Sequence, residues 1–169
     1  MAIFSGNLES LRELYTNQLQ HLLSAEKQLT EALPKMADAA TDPQLKRAIT
    51  AHLQETRQHM TKLEALLEKT DESADAKKSE AMAALISEGE DIIKDVKDDA
   101  VRDAGLILAA QRVEHYEIAS YGAMRRFAEL LGEVNAAQTL EQIEEEEGNA
   151  DHLLSEISKS ANSRANLAA

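Results

Sequence analysis

The stretch Ala39-Ala40-Thr41-Asp42-Pro43-Gln44-Leu45 decides the fold. Asp42 is an N-cap residue type, and Pro43 then occupies a first helical position, where its missing N–H costs nothing. Upstream, Leu8, Leu11, Tyr15, Leu19, Leu22, Leu29, Leu33 and Met36 recur at helical spacing, which predicts a first helix over 7–40 capped by Ser5 or Asn7. Pro34 falls inside that helix and is expected to kink or interrupt its last turns. Downstream, Leu45, Ile49, Leu53, Met60, Leu63 and Leu67 predict a second helix over 43–69. A break this short makes the two helices a tight hairpin.

The second half of the chain repeats the arrangement. Helices are predicted over 100–131 and 135–159, joined at Gly132, a residue suited to a left-handed C-cap, with Ser160–Ala169 left frayed. Between the hairpins, Thr70 to Asp75 is a polar break, and Met82, Leu85, Ile86, Ile92 and Ile93 mark a shorter helix over 76–96. Two hairpins linked by a long crossover is the connectivity of a ferritin-like antiparallel four-helix bundle, here with a fifth helix in the crossover. The 169 residues fit a single all-α domain over 1–169.

Composition narrows the function. The net charge of −13, from 18 basic and 31 acidic residues, opposes binding to nucleic acid or anionic membranes. No apolar run approaches a membrane span, and Met1–Asn7 has no signal-peptide pattern. With no cysteine there are no disulfides, thiolate nucleophiles or iron–sulfur clusters, and a cytoplasmic location is expected.

Charge on the apolar stripes is the informative feature. The first helix reads Leu22, Glu26, Leu29, Leu33. The second carries His52, Glu55, Thr56 and His59 at i, i+3, i+4 and i+7, one face of a helix. The third long helix reads Ile107, Ala110, Glu114, then Glu117 or Ile118, then Tyr121. The last reads Leu140, Ile143, Glu147, then Ala150 or Asp151, then Leu154, and a slight rotation would turn Glu146 inward instead of Glu147. Taken singly, each glutamate reads as a solvated helix position, each histidine as a core-edge residue, and Tyr116 and Tyr121 as packing. Taken together, converging carboxylates repel one another unless cations sit among them, and carboxylates with imidazoles suit iron or manganese.

Ser24-Ala25-Glu26-Lys27-Gln28-Leu29, Ala51-His52-Leu53-Gln54-Glu55-Thr56 and Val113-Glu114-His115-Tyr116-Glu117-Ile118-Ala119-Ser120-Tyr121-Gly122 resemble the YciE/YciF-type bacterial stress proteins, and the likeness runs over 8–157. The resemblance implies a ferritin-like homodimer, a role in osmotic or general stress, and an internal di-metal site of rubrerythrin type. It assigns Glu26, Glu55, Glu114 and Glu147 (or Glu146) to the site, one from each long helix. The Glu-x-x-His pairs of the wider superfamily are missing, since Glu55-Thr56-Arg57-Gln58 and Glu147-Gly148-Asn149-Ala150 stand in their places. His59 shares a face with Glu55, His52 offers a nitrogen from the preceding turn, and Glu117 and Asp151 complete the candidate ligands. The expectation is two iron or manganese ions, bridged by Glu55 and Glu147, handling peroxide, oxygen or ferrous iron, with a carboxylate or Tyr121 as a relay for protons or electrons. The alternative is a non-enzymatic dimeric stress bundle that binds metal weakly or not at all, and a closed iron-storage cage ranks behind both.

Overall fold

The computed structural model describes residues 8–70 and 77–167. It holds five helices: α1 (Leu11–Ala39), α2 (Pro43–Leu67), α3 (Glu80–Asp95), α4 (Asp99–Leu130) and α5 (Val134–Leu167). α1 pairs with α2 and α4 with α5, α1 faces α4, α2 faces α5, and α3 lies across α1 and α4. This is the ferritin-like four-helix bundle, with α3 in the crossover.

Local chemistry fixes the helix ends. α1 begins at a capping box in which Ser10 and Glu13 each bind the other's backbone N–H, later than the expected start. The caps expected at Ser5 and Asn7 lie outside the described residues, as does residue 76, but the crossover helix begins later than expected, at Glu80, where Ser79 caps it by accepting from Met82 N. α1 runs through Pro34 to Ala39 as one element. Asp42 caps α2 by accepting from Gln44 N at 2.6 Å and Leu45 N at 3.1 Å. The turn itself is gripped from α4, where buried Asp103 accepts from Thr41 N (2.8 Å), Thr41 Oγ1 (2.7 Å) and Asp42 N (2.8 Å). Gly132, at φ 75°, ends α4 in the left-handed conformation expected of it.

α5 differs from the sequence expectation. It continues past 159 to Leu167 instead of fraying. The added turns are held by tertiary contact: Ala161 is fully buried, and Arg164 pairs with the Asp42 carboxylate. The crossover helix sits close on its neighbour as well, since a Cβ at Gly105 would lie 2.7 Å from Ile92 Cγ2.

The apolar interior is two cores, not one. The first gathers Leu29, Leu33, Leu45, Ile49, Leu106, Ile107 and Leu154, with Met82 of α3 closing it. The second gathers Tyr15, Leu19, Leu23, Leu63, Leu67, Met124, Leu140 and Ile143. Between them in sequence, on α1, α2, α4 and α5 alike, lie buried polar residues.

Candidate metal centre

Each long helix brings its polar residue inward because the stripe around it is apolar, so burying the stripe buries the charge. Glu26 of α1, His59 of α2, and Glu117 and Glu147 of their helices are wholly inaccessible, and Glu114 and His52 nearly so. Glu147, not Glu146, is the inward residue of the acidic run, and on α4 Glu117 is buried while Ile118 is only half-buried.

These side chains form two groups. His52, Glu114, Glu117 and Glu147 each offer a ligand atom within 4.8 Å of the others, and so do Glu26, His59 and Glu147. Glu147 belongs to both. His59 Nδ1 lies 2.9 Å from Glu147 Oε1 and 3.5 Å from Glu26 Oε1, and His52 Nε2 lies 3.5 Å from Glu114 Oε1. Of the eight residues singled out from sequence, six meet here and two do not. Glu55 stands at the rim with its side chain 46% exposed, 3.6 Å from His52 Nδ1. Asp151 turns to the α4–α5 seam, where it accepts from Gln111 Nε2 at 3.0 Å and lies 3.6 Å from His115.

The cluster is chemically unfinished by protein atoms alone. Glu26 Oε2, Glu114 Oε2, both oxygens of Glu117, both of Glu147, both ring nitrogens of His52 and Nδ1 of His59 are buried without a hydrogen-bond partner. Each such group ordinarily costs about 1–3 kcal/mol and more when charged. Burial raises the pKa of Glu26, and it raises Glu114 and Glu117 well above the carboxylate range, helped by their negative neighbours. Burial opposes protonation of the histidines, yet the carboxylates outweigh it. Glu114, Glu55 and Glu147 lift His52 to about 9, and Glu147 and Glu26 lift His59 to about 10.

Two contacts escaped the sequence reading. Tyr121, there a packing residue or a relay, donates its O–H to Glu26 Oε1 and is fully buried. Glu146 accepts at 2.8 Å from His59 Nε2, the nitrogen that points away from the cluster. Neither has a signature in spacing alone, because both depend on how two helices are rotated against each other. Thr56, part of the α2 patch, lies buried on the turn between the two histidines with its hydroxyl unpartnered.

Fold and site together define a ferritin-like helical bundle with a buried carboxylate–histidine cluster that could hold metal. The chain belongs to the family described as Domain of unknown function (DUF892), which it matches over residues 10–166. It is 40% identical to protein YciF of Escherichia coli (strain K12) over 152 residues, 89% of this chain and 92% of that protein. The crystal structure of the E. coli stress protein YciF superposes with a TM-score of 0.89 at 38% identity, covering 92% of this chain and 99% of the other. YcfI of Rhodopseudomonas palustris gives a TM-score of 0.86 at 34% identity, covering 90% and 97%. Among the described residues, no helix is long and apolar enough to cross a membrane.

Proposed function

We propose that this chain is a stress-response metalloprotein whose bundle interior holds two iron or manganese ions for reaction with peroxide, oxygen or ferrous iron. The observation that carries this reading is the pair of ligand groups joined at Glu147, most of whose inward atoms are buried without a hydrogen bond. Four carboxylates and two imidazoles make a donor set of oxygen with some nitrogen, which fits these ions. Glu147, one of the two bridges expected from sequence, is the residue that would serve both ions, while Glu55, the other, stands at the rim. Such a metal pair supplies Lewis acidity and accessible redox change. The protein's own part is to hold the ligands: Tyr121 fixes one oxygen of Glu26, and the two apolar cores keep water from the layer between them. The stress assignment rests on the E. coli relative and the homodimer on the family resemblance.

Elemental analysis of protein purified without chelator tests the proposal. About two ions per wild-type chain are expected, with both lost in Glu147→Ala. Metal at trace level that ignores the substitution would refute it.

One observation favours a second reading, a dimeric stress bundle without functional metal. Histidines lifted to about 9 and 10 can balance the carboxylates with protons alone. On that reading, added manganese or ferrous iron leaves the melting temperature of wild type and of Glu26→Ala/Glu114→Ala unchanged.

A further inference from the structure

The two histidines of the centre are held in unlike ways. His52 has no hydrogen-bond partner on either ring nitrogen, and its contact with Glu55 is 3.6 Å long. His59 is anchored, because its Nε2 lies 2.8 Å from Glu146 Oε2 while its Nδ1 faces Glu26 and Glu147 with no hydrogen-bond partner. Glu146 belongs to neither ligand group. It is itself held from two further sides, by Lys62 Nζ at 2.9 Å and by Gln142 Nε2 at 2.8 Å. A Lys62–Glu146 pair on its own would be an ordinary ion pair at the bundle surface. Here the oxygen that meets Lys62 also meets a fully buried imidazole.

A neutral imidazole donates from one nitrogen and accepts at the other, so a carboxylate that takes the Nε2–H leaves the lone pair on Nδ1. Metal-binding histidines depend on such outer partners for both ring orientation and basicity. We propose that Glu146 is a positioning residue: it locks His59 with Nδ1 aimed between Glu26 and Glu147, and so sets the affinity of one of the two ion positions and not the other. The inference rests on the metal reading above. It divides the centre into an anchored position, served by His59, and a looser one served by His52. Lys62 and Gln142 belong to the device because they keep Glu146 from swinging into solvent.

The test titrates manganese(II) into metal-free wild type, Glu146→Ala, Glu146→Gln and Glu145→Ala, with bound ion read by electron paramagnetic resonance. Glu145 is exposed in the same helical turn, so its removal subtracts the same charge without touching His59. Glu146→Ala is expected to weaken one ion by about 10- to 100-fold and to leave the other within about threefold. Glu146→Gln keeps an acceptor oxygen and should restore most of the loss, and it also carries the test if the alanine variant folds poorly. Glu145→Ala should match wild type. In ¹⁵N-histidine protein loaded with ¹¹³Cd, scalar coupling should run to His59 Nδ1 in wild type and the glutamine variant and be lost in the alanine variant. Equal weakening of both ions, equal weakening by Glu145→Ala, or unchanged affinity with retained Nδ1 coupling in Glu146→Ala would each overturn the positioning role while leaving the metal reading intact. Wild type that takes up neither manganese nor cadmium would overturn the metal reading itself, and this inference with it.

Discussion

Glu117 states the energetic problem of this protein in a single side chain. It is fully buried, and neither carboxylate oxygen has a partner. Its pKa is driven upward by burial first, then by Glu26, Glu147 and Glu114. Replacing it with leucine, a side chain of similar volume, removes a polar group that is unsatisfied without metal. Glu117→Leu is therefore expected to stabilise the metal-free protein by about 1–3 kcal/mol in urea unfolding, and to weaken metal uptake in the same sample. A loss of metal-free stability would mean that Glu117 has a favourable role the geometry does not reveal. The histidines give a second prediction at this scale. His52 and His59 have folded pKa values of about 9 and 10, above the ordinary imidazole value of about 6.5. Their contribution is thus fully present below about pH 6.5 and is lost as pH rises through 9 to 10. The raised Glu26, Glu114 and Glu117 act in the same direction from about pH 4.5 upward. Metal-free protein should melt at lower temperature at pH 9.5 than at pH 7, and His52→Gln/His59→Gln should flatten that slope. Metal reverses the sign, because ligands must shed protons to bind it, so metal-loaded protein should gain stability from pH 5 to pH 8.

At the scale of the element, the turn between α1 and α2 shows what periodicity reveals and what it leaves out. The proline and the aspartate cap were legible because they act locally, through one missing N–H and one short side chain. Asp103, 61 and 62 residues away, was not, although it satisfies three donors of that turn. Asp103→Ala would strand two backbone N–H groups near the turn and is expected to cost about 2–4 kcal/mol by chemical denaturation. A cost under about 0.5 kcal/mol would show that water replaces it. The end of α5 carries the same lesson in the opposite direction. Ser160, Asn162, Ser163 and Asn166 are indifferent helix formers, so composition read as fraying. Tertiary contact overrides propensity there, through Ala161 in the first core and Arg164 on the carboxylate of the α2 cap. The site was legible to the degree that a stripe interruption has one solution. Glu26 and Glu114 interrupt theirs unambiguously, whereas Glu146 or Glu147, and Glu117 or Ile118, differ by about 100° of rotation that only packing decides. Glu55 and Asp151 each lie a helical turn from an interior residue, on nearly the same face, and packing leaves both outside the two ligand groups.

Over the whole molecule, the polar layer parts two apolar cores that would otherwise be continuous. Four helices of long apolar stripe have few reasons to prefer one vertical alignment over another, since sliding by a turn, about 5.4 Å, exchanges one leucine level for the next. The layer removes that freedom. Any helix displaced by a turn would carry its carboxylate, or on α2 its imidazoles, into a purely apolar level and leave the remaining charges unbalanced. Replacing Glu26, His52, His59, Glu114, Glu117 and Glu147 together by apolar residues of matching volume should therefore raise the melting temperature while broadening the methyl NMR signals of the interior. Sharp, single methyl signals in that variant would show that side-chain shape alone dictates the alignment. If the signals broaden, the residues that weaken this bundle are also those that keep its four helices in one register.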